Sequence, residues 1–459
     1  MFRRISIDLR SWLRRKDRRP LLLRGARQVG KTWLARALAR EQGLDLVEVN
    51  FELRPDAKEA FRSLQPSEIL KNLAFLGFPA PKPGSSLLFF DEIQDCPAAI
   101  AAMRYFYEMM PELAVLSSGS LLEFAMNAGE FSLPVGRVDT MWVHPMGFAE
   151  FLRAKGNETL AEALESLNPV EPLPAVAHRK AIEELRDYLF CGGMPAAVNA
   201  LAGDRDVEAC RRVHLSILQT YRQDFAKYAP RIKADIAERL FLRAPGLVGG
   251  RLKFNAIDPD RRSSEVRPAV EAVEKAGVIR RVFHTAGQSL PLATDSNPRI
   301  AKLVMLDVGL MHAALRIDAE FIQEPDLLAI HRGAVAEQFA AQELLACGPA
   351  DREPELYFWA REERNSQAEV DFLIASDSKV LPIEIKSGNS GTLKSLNLFL
   401  DSHHQCPLGV RLYGGPHLQE NRILHLPLYA AGSLHRLRLD LISAGTRRSG
   451  VARQLTSND

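Results

Sequence analysis

Patterned cysteine is the first thing missing. The five cysteines, Cys96, Cys191, Cys210, Cys347 and Cys406, form no C-x-x-C pair. That spacing excludes a zinc knuckle and a disulfide framework, and it points to a reduced, cytoplasmic protein. Long apolar runs are missing as well. None approaches the roughly 18 residues that a membrane span needs, so no membrane partner is expected. A net charge of +2 over 459 residues excludes a strong overall field. The imbalance is local: Arg3, Arg4, Arg10, Arg14, Arg15, Lys16, Arg18 and Arg19 face only Asp8 and Asp17 in the first twenty positions. This segment can touch phosphate or lie as solvated surface. A phosphate-loop motif follows so closely that no removable leader is expected.

With 46% hydrophobic and 25% charged residues the chain is an ordinary globular one, long enough for two to four domains. Its strongest local signal is PLLLRGARQVGKTWLARALAR. Leu21 to Leu23 read as a short buried strand, and an apolar-periodic helix starts at Trp33. Between them Gly25, Ala26, Arg27, Gln28, Val29, Gly30, Lys31 and Thr32 spell G-x-x-x-x-G-K-T. Backbone N–H groups of such a loop wrap a phosphate, Lys31 neutralises β/γ oxygens and the Thr32 hydroxyl holds Mg²⁺. ATP and Mg²⁺ are therefore the expected substrate and cofactor, with residues 25–33 forming the nucleotide cradle.

A second signal, SSLLFFDEIQDCP, places Asp91 and Glu92 at the end of a continuous apolar strand, Leu87 to Phe90. Carboxylates at that edge of a parallel sheet sit where nucleotides bind. Asp91 is expected to hold Mg²⁺, and Glu92 to orient or deprotonate the attacking water. A third strand, LAVLSSGS, either brings Ser118 or Ser120 near the γ-phosphate or is a simple turn into a helix.

The order LLLRGARQVGKT, LLFFDEIQ, SSGSLLEF and GRVDTMWVHPMGFAEFL resembles the prokaryotic AAA+ superfamily ATPases that carry a C-terminal domain of unknown function. YLFCGGMPAAV, YRQDFAKY, KLVMLDVGLM, HRGAVAEQF, LYFWARE, EVDFLI and IEIKSG extend the resemblance over nearly the whole chain. One departure is SSGS, where the family tends to have Thr before Gly-Ser, so Ser118 would serve as the polar sensor. The resemblance implies a P-loop core, then a helical lid with GGMP (Gly192 to Pro195) at a turn near the nucleotide. Read from the residues alone, GGMP is punctuation that breaks a helix. Arg137 is the candidate arginine finger toward a neighbouring subunit, which would require a homo-oligomer; a surface salt bridge is the competing role.

Between 231 and 300 two short helices, Ala234 to Arg243 and Ser264 to Ala276, lead into a hairpin from GVIRRVFHT, the order of a winged helix. The resemblance implies the same module, with Arg261, Arg262, Arg280 and Arg281 as phosphate contacts to DNA; protein docking is the other use of that module.

VLPIEIKSG, 380–388, carries opposite charges in an apolar strand. At period two, Glu384 and Lys386 share one face. A hairpin through ASDSK, 375–379, would set Asp371 beside Glu384, and Glu337 lies on a preceding helix. Glu…Asp…Glu-x-Lys resembles the restriction-endonuclease-like fold. There Glu337, Asp371 and Glu384 would hold Mg²⁺ or Mn²⁺ while Lys386 polarises a water. Val370 stands where that pattern has Pro. An exposed Glu–Lys pair, or a fold retained without cleavage, are the competing readings. His403-His404 near Cys406 reads as loop surface, and Trp359 as a core sheet residue.

The expectation is an α/β protein: a P-loop AAA+ ATPase core with its basic segment (1–155), a helical lid (156–230), a winged-helix-like segment (231–300), a restriction-endonuclease-like α/β domain (301–440) and a mobile tail (441–459). The expected activity is Mg²⁺-dependent ATP hydrolysis coupled to nucleic acid, DNA favoured. The alternative is a nucleotide-dependent switch or scaffold in defence or signalling with an inactive nuclease fold.

Overall fold

The computed structural model describes residues 1–120, 134, 136–168, 171–203, 205–227, 234–316, 332–361, 368–386 and 392–437. The expected mobile tail lies outside them. The first sheet is made of β1 (Leu21–Arg24), β2 (Asp45–Asn50), β3 (Ser86–Asp91), β4 (Ala114–Ser118) and β5 (Asp139–Trp142), in the order β2-β3-β4-β1-β5. All its pairings are parallel. Alternation sorts the strands into two faces: Leu21, Leu23, Leu87 and Phe89 join one core, while Leu22, Leu88 and Phe90 join the other. Helices Ile5–Leu13 and Lys31–Gln42 cover the first face through Leu9, Trp12, Leu34 and Leu38. Helices Pro66–Phe75 and Pro97–Met109 cover the second through Ile69, Leu73, Met103 and Phe106. Burial on both faces is the reason these strands read as unbroken apolar runs.

Helices Glu158–Glu165, Ala175–Cys191, Pro195–Ala202 and Val207–Lys227 make the middle helical layer. Helices Ala234–Leu247 and Ser263–Lys275 come next, close to their expected spans. The second sheet contains β6 (Ile279–Thr285), β7 (Ser296–Met305), β8 (Tyr357–Ala360), β9 (Glu369–Ser376), β10 (Lys379–Ile385), β11 (Gly409–Tyr413), β12 (Leu418–Glu420) and β13 (Ile423–Pro427). Its order is β12-β13-β11-β10-β9-β8-β6-β7.

The expected hairpin after helix Ser263–Lys275 is present as β6 and β7, but it is not a free-standing wing. β6 pairs in parallel with β8, Phe283 opposite Tyr357, so the hairpin continues the C-terminal sheet. Pairing covers an edge that a separate wing would leave open. The expected boundary at 300 falls inside β7. The cores are likewise shared: Leu21 and Leu34 of the first layer belong to the same buried cluster as Val282, Phe358, Ile383 and Val410.

The turn between β9 and β10 is the one anticipated. Ser376 pairs with Lys379, and Asp377 and Ser378 between them have φ of 49° and 58°, which suits the right-handed twist of a two-residue hairpin. Trp359 is a buried sheet residue, 5.3 Å edge-on from Phe399. His403 is not loop surface. Its ring stacks on Phe399 at 3.8 Å and hydrogen-bonds the carbonyls of Phe399 and Ala286.

GGMP does act as punctuation. Helix Ala175–Cys191 stops at Gly192 with φ of 66°, and Pro195 opens the next helix. Gly193 packs so closely that a Cβ there would stand 2.0 Å from the carbonyl oxygen of Met146. Replacing Gly193 with Ala should destabilise the protein by roughly 2 kcal/mol or more through overpacking. Gly246→Ala, in open space near the end of a helix, should stabilise it by about 0.5 kcal/mol. Thermal unfolding of the two variants should therefore shift in opposite directions.

Glu343, on helix Arg332–Ala346, is buried and accepts a hydrogen bond from the backbone N–H of Phe148 at 2.7 Å. Burial pushes its carboxyl up to about 7, with Glu150 adding to the effect. A raised carboxyl contributes stability that is complete below the ordinary carboxylate range and is lost as pH rises through about 7. Glu343→Gln keeps an acceptor for Phe148 and should flatten the fall in unfolding temperature across neutral pH; an unchanged slope would remove Glu343 as its source.

Candidate nucleotide site and C-terminal carboxylate cluster

The loop 25–32 joins β1 to helix Lys31–Gln42 at the C-terminal edge of the first sheet. Only glycine fits at its start: φ at Gly25 is 139°, and a Cβ there would meet the Val143 carbonyl oxygen at 2.2 Å. The Lys31 ammonium is buried and donates to the carbonyls of Gly25 and Ala26 at 2.9 and 2.8 Å. Burial lowers its pKa to about 8 against the opposing pull of Glu92 and Asp91. The Thr32 hydroxyl donates to Asp91 Oδ2 at 3.0 Å. Asn50 Nδ2 donates to the same oxygen at 3.1 Å, and the Ser118 hydroxyl donates to Asp91 Oδ1.

Glu92 has φ of 48°, an uncommon conformation for a residue with a side chain. Its Oε2 accepts from Gln94 at 2.8 Å and from Ser120 at 3.0 Å. Ser118 thus braces Asp91, while Ser120 is the hydroxyl on Glu92. The structure brings Lys31, Thr32, Asp91, Glu92, Ser118 and Ser120 together. Arg137 is elsewhere, exposed and ion-paired with Glu108 at 3.0 Å.

Side chains from other elements buttress the loop. Tyr221 donates to the Arg27 carbonyl at 3.2 Å, and Asp224 pairs with the Arg27 guanidinium at 3.0 Å. Arg3, only 3% exposed, donates to the carbonyls of Val29 and His144, both at 2.7 Å, and pairs with Glu150 at 3.1 Å. That use takes it out of the supposed phosphate-binding surface. Gly277, just before β6, comes so near that its Cβ would lie 3.0 Å from the Ala26 Cβ. A cavity of about 340 Å³ lies behind the loop, lined in part by Gly25, Trp142, Arg280 and Arg281; it abuts the phosphate cradle without enclosing Lys31.

Of the four arginines assigned to DNA, three have internal partners. Arg280 donates to the Pro354 carbonyl at 2.6 Å, Arg281 pairs with Glu274 at 2.6 Å, and Arg261 pairs with Asp235 at 3.4 Å and Glu265 at 3.5 Å. Arg262 is exposed at the start of its helix.

The C-terminal carboxylates also assemble. Phe372 faces Ile383 in the β9–β10 ladder, so Asp371 and Glu384 are cross-strand neighbours. Asp371 Oδ2 accepts from the Ile385 N–H at 2.8 Å. Lys386 donates to Glu384 Oε1 at 2.5 Å. Glu384 is 4% exposed, and its Oε2 is buried with no hydrogen-bond partner among the described residues. Burial, then Asp371, pushes Glu384 and Glu337 above the ordinary carboxylate range.

The unexpected member is Lys302 of β7, 2% exposed. Its ammonium is 2.6 Å from Glu369, 3.2 Å from Asp371 and 3.5 Å from Glu337. Burial lowers a lysine's pKa, but the three carboxylates outweigh it here and raise it. Among the described residues no trio of His, Cys, Asp or Glu is arranged around a metal position; Lys302 is the cation at Glu337, Glu369 and Asp371, as Lys386 is at Glu384. The hard oxygen donors of Glu337, Asp371 and Glu384 suit Mg²⁺ or Mn²⁺, with Lys302 competing for them. A lysine at the head of the apolar run KLVML is the same kind of signal as the charges in LPIEIK.

Residues 17–152 match the family model described as an AAA domain, and the phosphate loop and all five strands of the first sheet lie within that match. Residues 182–320 and 332–429 match two models each described as a domain of unknown function, DUF8612 and DUF4143. No curated protein matches the chain. Among solved structures, a threonine-to-valine variant of RuvB from Thermotoga maritima is 15% identical over 61% of this chain and 88% of that one, with a TM-score of 0.25. Among the described residues no helix is long and apolar enough to cross a membrane.

Proposed function

We propose that the protein hydrolyses ATP at the P-loop and couples the cycle to the binding, remodelling or processing of nucleic acid, DNA in preference to RNA. The contact of the Thr32 hydroxyl with Asp91 at 3.0 Å carries the ATPase reading, because a loop hydroxyl and a strand-end carboxylate meet where a P-loop enzyme holds its metal. Thr32 and Asp91 would hold Mg²⁺, which when bound neutralises charge on the β- and γ-oxygens. Lys31 exchanges the carbonyls of Gly25 and Ala26 for phosphate oxygens. Glu92, held by Gln94 and Ser120, orients the attacking water and accepts its proton. Ser118 keeps Asp91 in place. Arg137, exposed on the surface, serves as the finger toward a neighbouring subunit in a homo-oligomer.

The nucleic-acid reading is supported by the C-terminal half. Helix Arg332–Ala346, β8, β9, β10, helix Lys394–Ser402 and β11 follow one another in the order α-β-β-β-α-β, with Glu337, Asp371, Glu384 and Lys386 on its first helix and central hairpin. That is the arrangement implied by a restriction-endonuclease-like fold. A second reading, a nucleotide-dependent switch whose nuclease fold is inactive, is favoured by the Lys302 ammonium among the carboxylates and by the internal partners of Arg280 and Arg281.

Lys31→Ala and Glu92→Gln should each lower ATP turnover by about a hundredfold or more, Glu92→Gln with nucleotide binding retained. Turnover at the wild-type rate in either would refute the site. Duplex, branched and single-stranded DNA, and RNA, incubated with Mg²⁺ or Mn²⁺ with and without ATP, test the coupling. Cleavage lost in Asp371→Ala and Glu384→Ala supports the enzyme reading. Neither binding nor stimulated ATPase selects the switch.

A further inference from the structure

Lys302 belongs neither to the nucleotide site nor to the Glu-x-Lys pair, yet it is buried and contacts three carboxylates. A buried lysine is costly unless its charge is paired. Here β7 delivers it between carboxylates from two other elements, Glu337 on helix Arg332–Ala346 and Glu369 and Asp371 on β9, with the Phe358 ring 5.4 Å from its ammonium. Glu369 is further engaged by Arg251 at 3.1 Å. Beside this group Glu384 leaves one buried oxygen unpartnered among the described residues. The cluster therefore offers a buried Glu384 oxygen to a cation, the other being held by Lys386, and keeps the Lys302 ammonium on the Asp371 side.

We propose that Lys302 is the built-in counter-ion of the carboxylate cluster, and that a divalent cation binds there by displacing its ammonium from Asp371 and Glu337. This rests on the reading of Glu337, Asp371 and Glu384 as cation ligands and adds a control on it: the chain's own side chain competes with the metal. Metal affinity at this site is set by how firmly β7 holds Lys302 in place. Glu369 and the aromatic floor of Phe358 favour the plugged arrangement.

Mn²⁺ binding to the nucleotide-free full-length protein, followed by electron paramagnetic resonance, tests this. Lys302→Met should bind Mn²⁺ about tenfold more tightly than wild type or better, Lys302→Arg should behave as wild type, and adding Asp371→Asn to Lys302→Met should abolish the gain. Equal affinity in wild type and Lys302→Met, with loss in Asp371→Asn, overturns the competition while the carboxylate ligands stand. Weaker binding in Lys302→Met also overturns it and makes Lys302 a support of the metal site. Binding in none of them overturns both readings. A wild-type measurement guards against a variant that fails to fold. Reductive methylation of Lys302, read by mass spectrometry, should rise several-fold on saturation with Mn²⁺, and labelling unchanged by bound Mn²⁺ overturns the proposal.

Discussion

The carboxylate of Asp307, wholly buried, accepts hydrogen bonds from the backbone N–H groups of Gly193 at 2.6 Å and Leu310 at 3.0 Å, and from the Gln342 side chain at 2.9 Å. Its aspartate caps helix Val308–Ala314, its Gly193 contact fixes the turn beside the P-loop, and its Gln342 contact reaches the helix that carries Glu337. Three parts of the molecule are thus held by a single buried acid. Low dielectric makes those bonds strong and makes the loss of any of them expensive.

Asp307 and Lys302 lie five residues apart on the segment KLVMLD, roughly 17 Å for extended chain. One end of the segment faces the carboxylate cluster and the other faces Gly193, and Pro195, two residues on, approaches Gly30 of the phosphate loop. β7 is therefore a direct covalent and hydrogen-bonded link between the two sites. Gly277 against Ala26 makes a second contact, entering the same sheet at β6. With a shared apolar core behind them, these contacts join the nucleotide loop to the C-terminal sheet without a linker.

How much of this could be read beforehand depended on whether a residue's partners are near in sequence. The phosphate loop and the strand ending in Asp91-Glu92 are local patterns, and their chemistry follows from spacing. The β9–β10 hairpin was legible because a two-residue turn sets its register, which put Asp371 beside Glu384. Arg3 and Lys302 are not legible: their partners are long-range and come from other elements, so Arg3 looks like surface charge and nothing within KLVML reveals what Lys302 meets. The wing was misjudged for a related reason. Helix, helix and hairpin are local, whereas the pairing of β6 with β8 spans more than seventy residues and leaves no mark in either strand. His403 was misread because its stacking on Phe399 depends on the helical backbone between them.

The two sheets also differ in what must be made before each can close. Every strand of the first lies between residues 21 and 142, so its ladder is complete once that stretch of chain exists. The second interleaves early and late segments, with β6 and β7 paired through β8 to strands that end at Pro427. Pairing over such separations is entropically slow. During synthesis the nucleotide-binding layer can therefore form while β6 and β7 still wait for their sheet, with Lys302 in water until Asp371 and Glu369 arrive. Chain order alone delivers every strand of the first sheet before the last strands beside the carboxylate cluster.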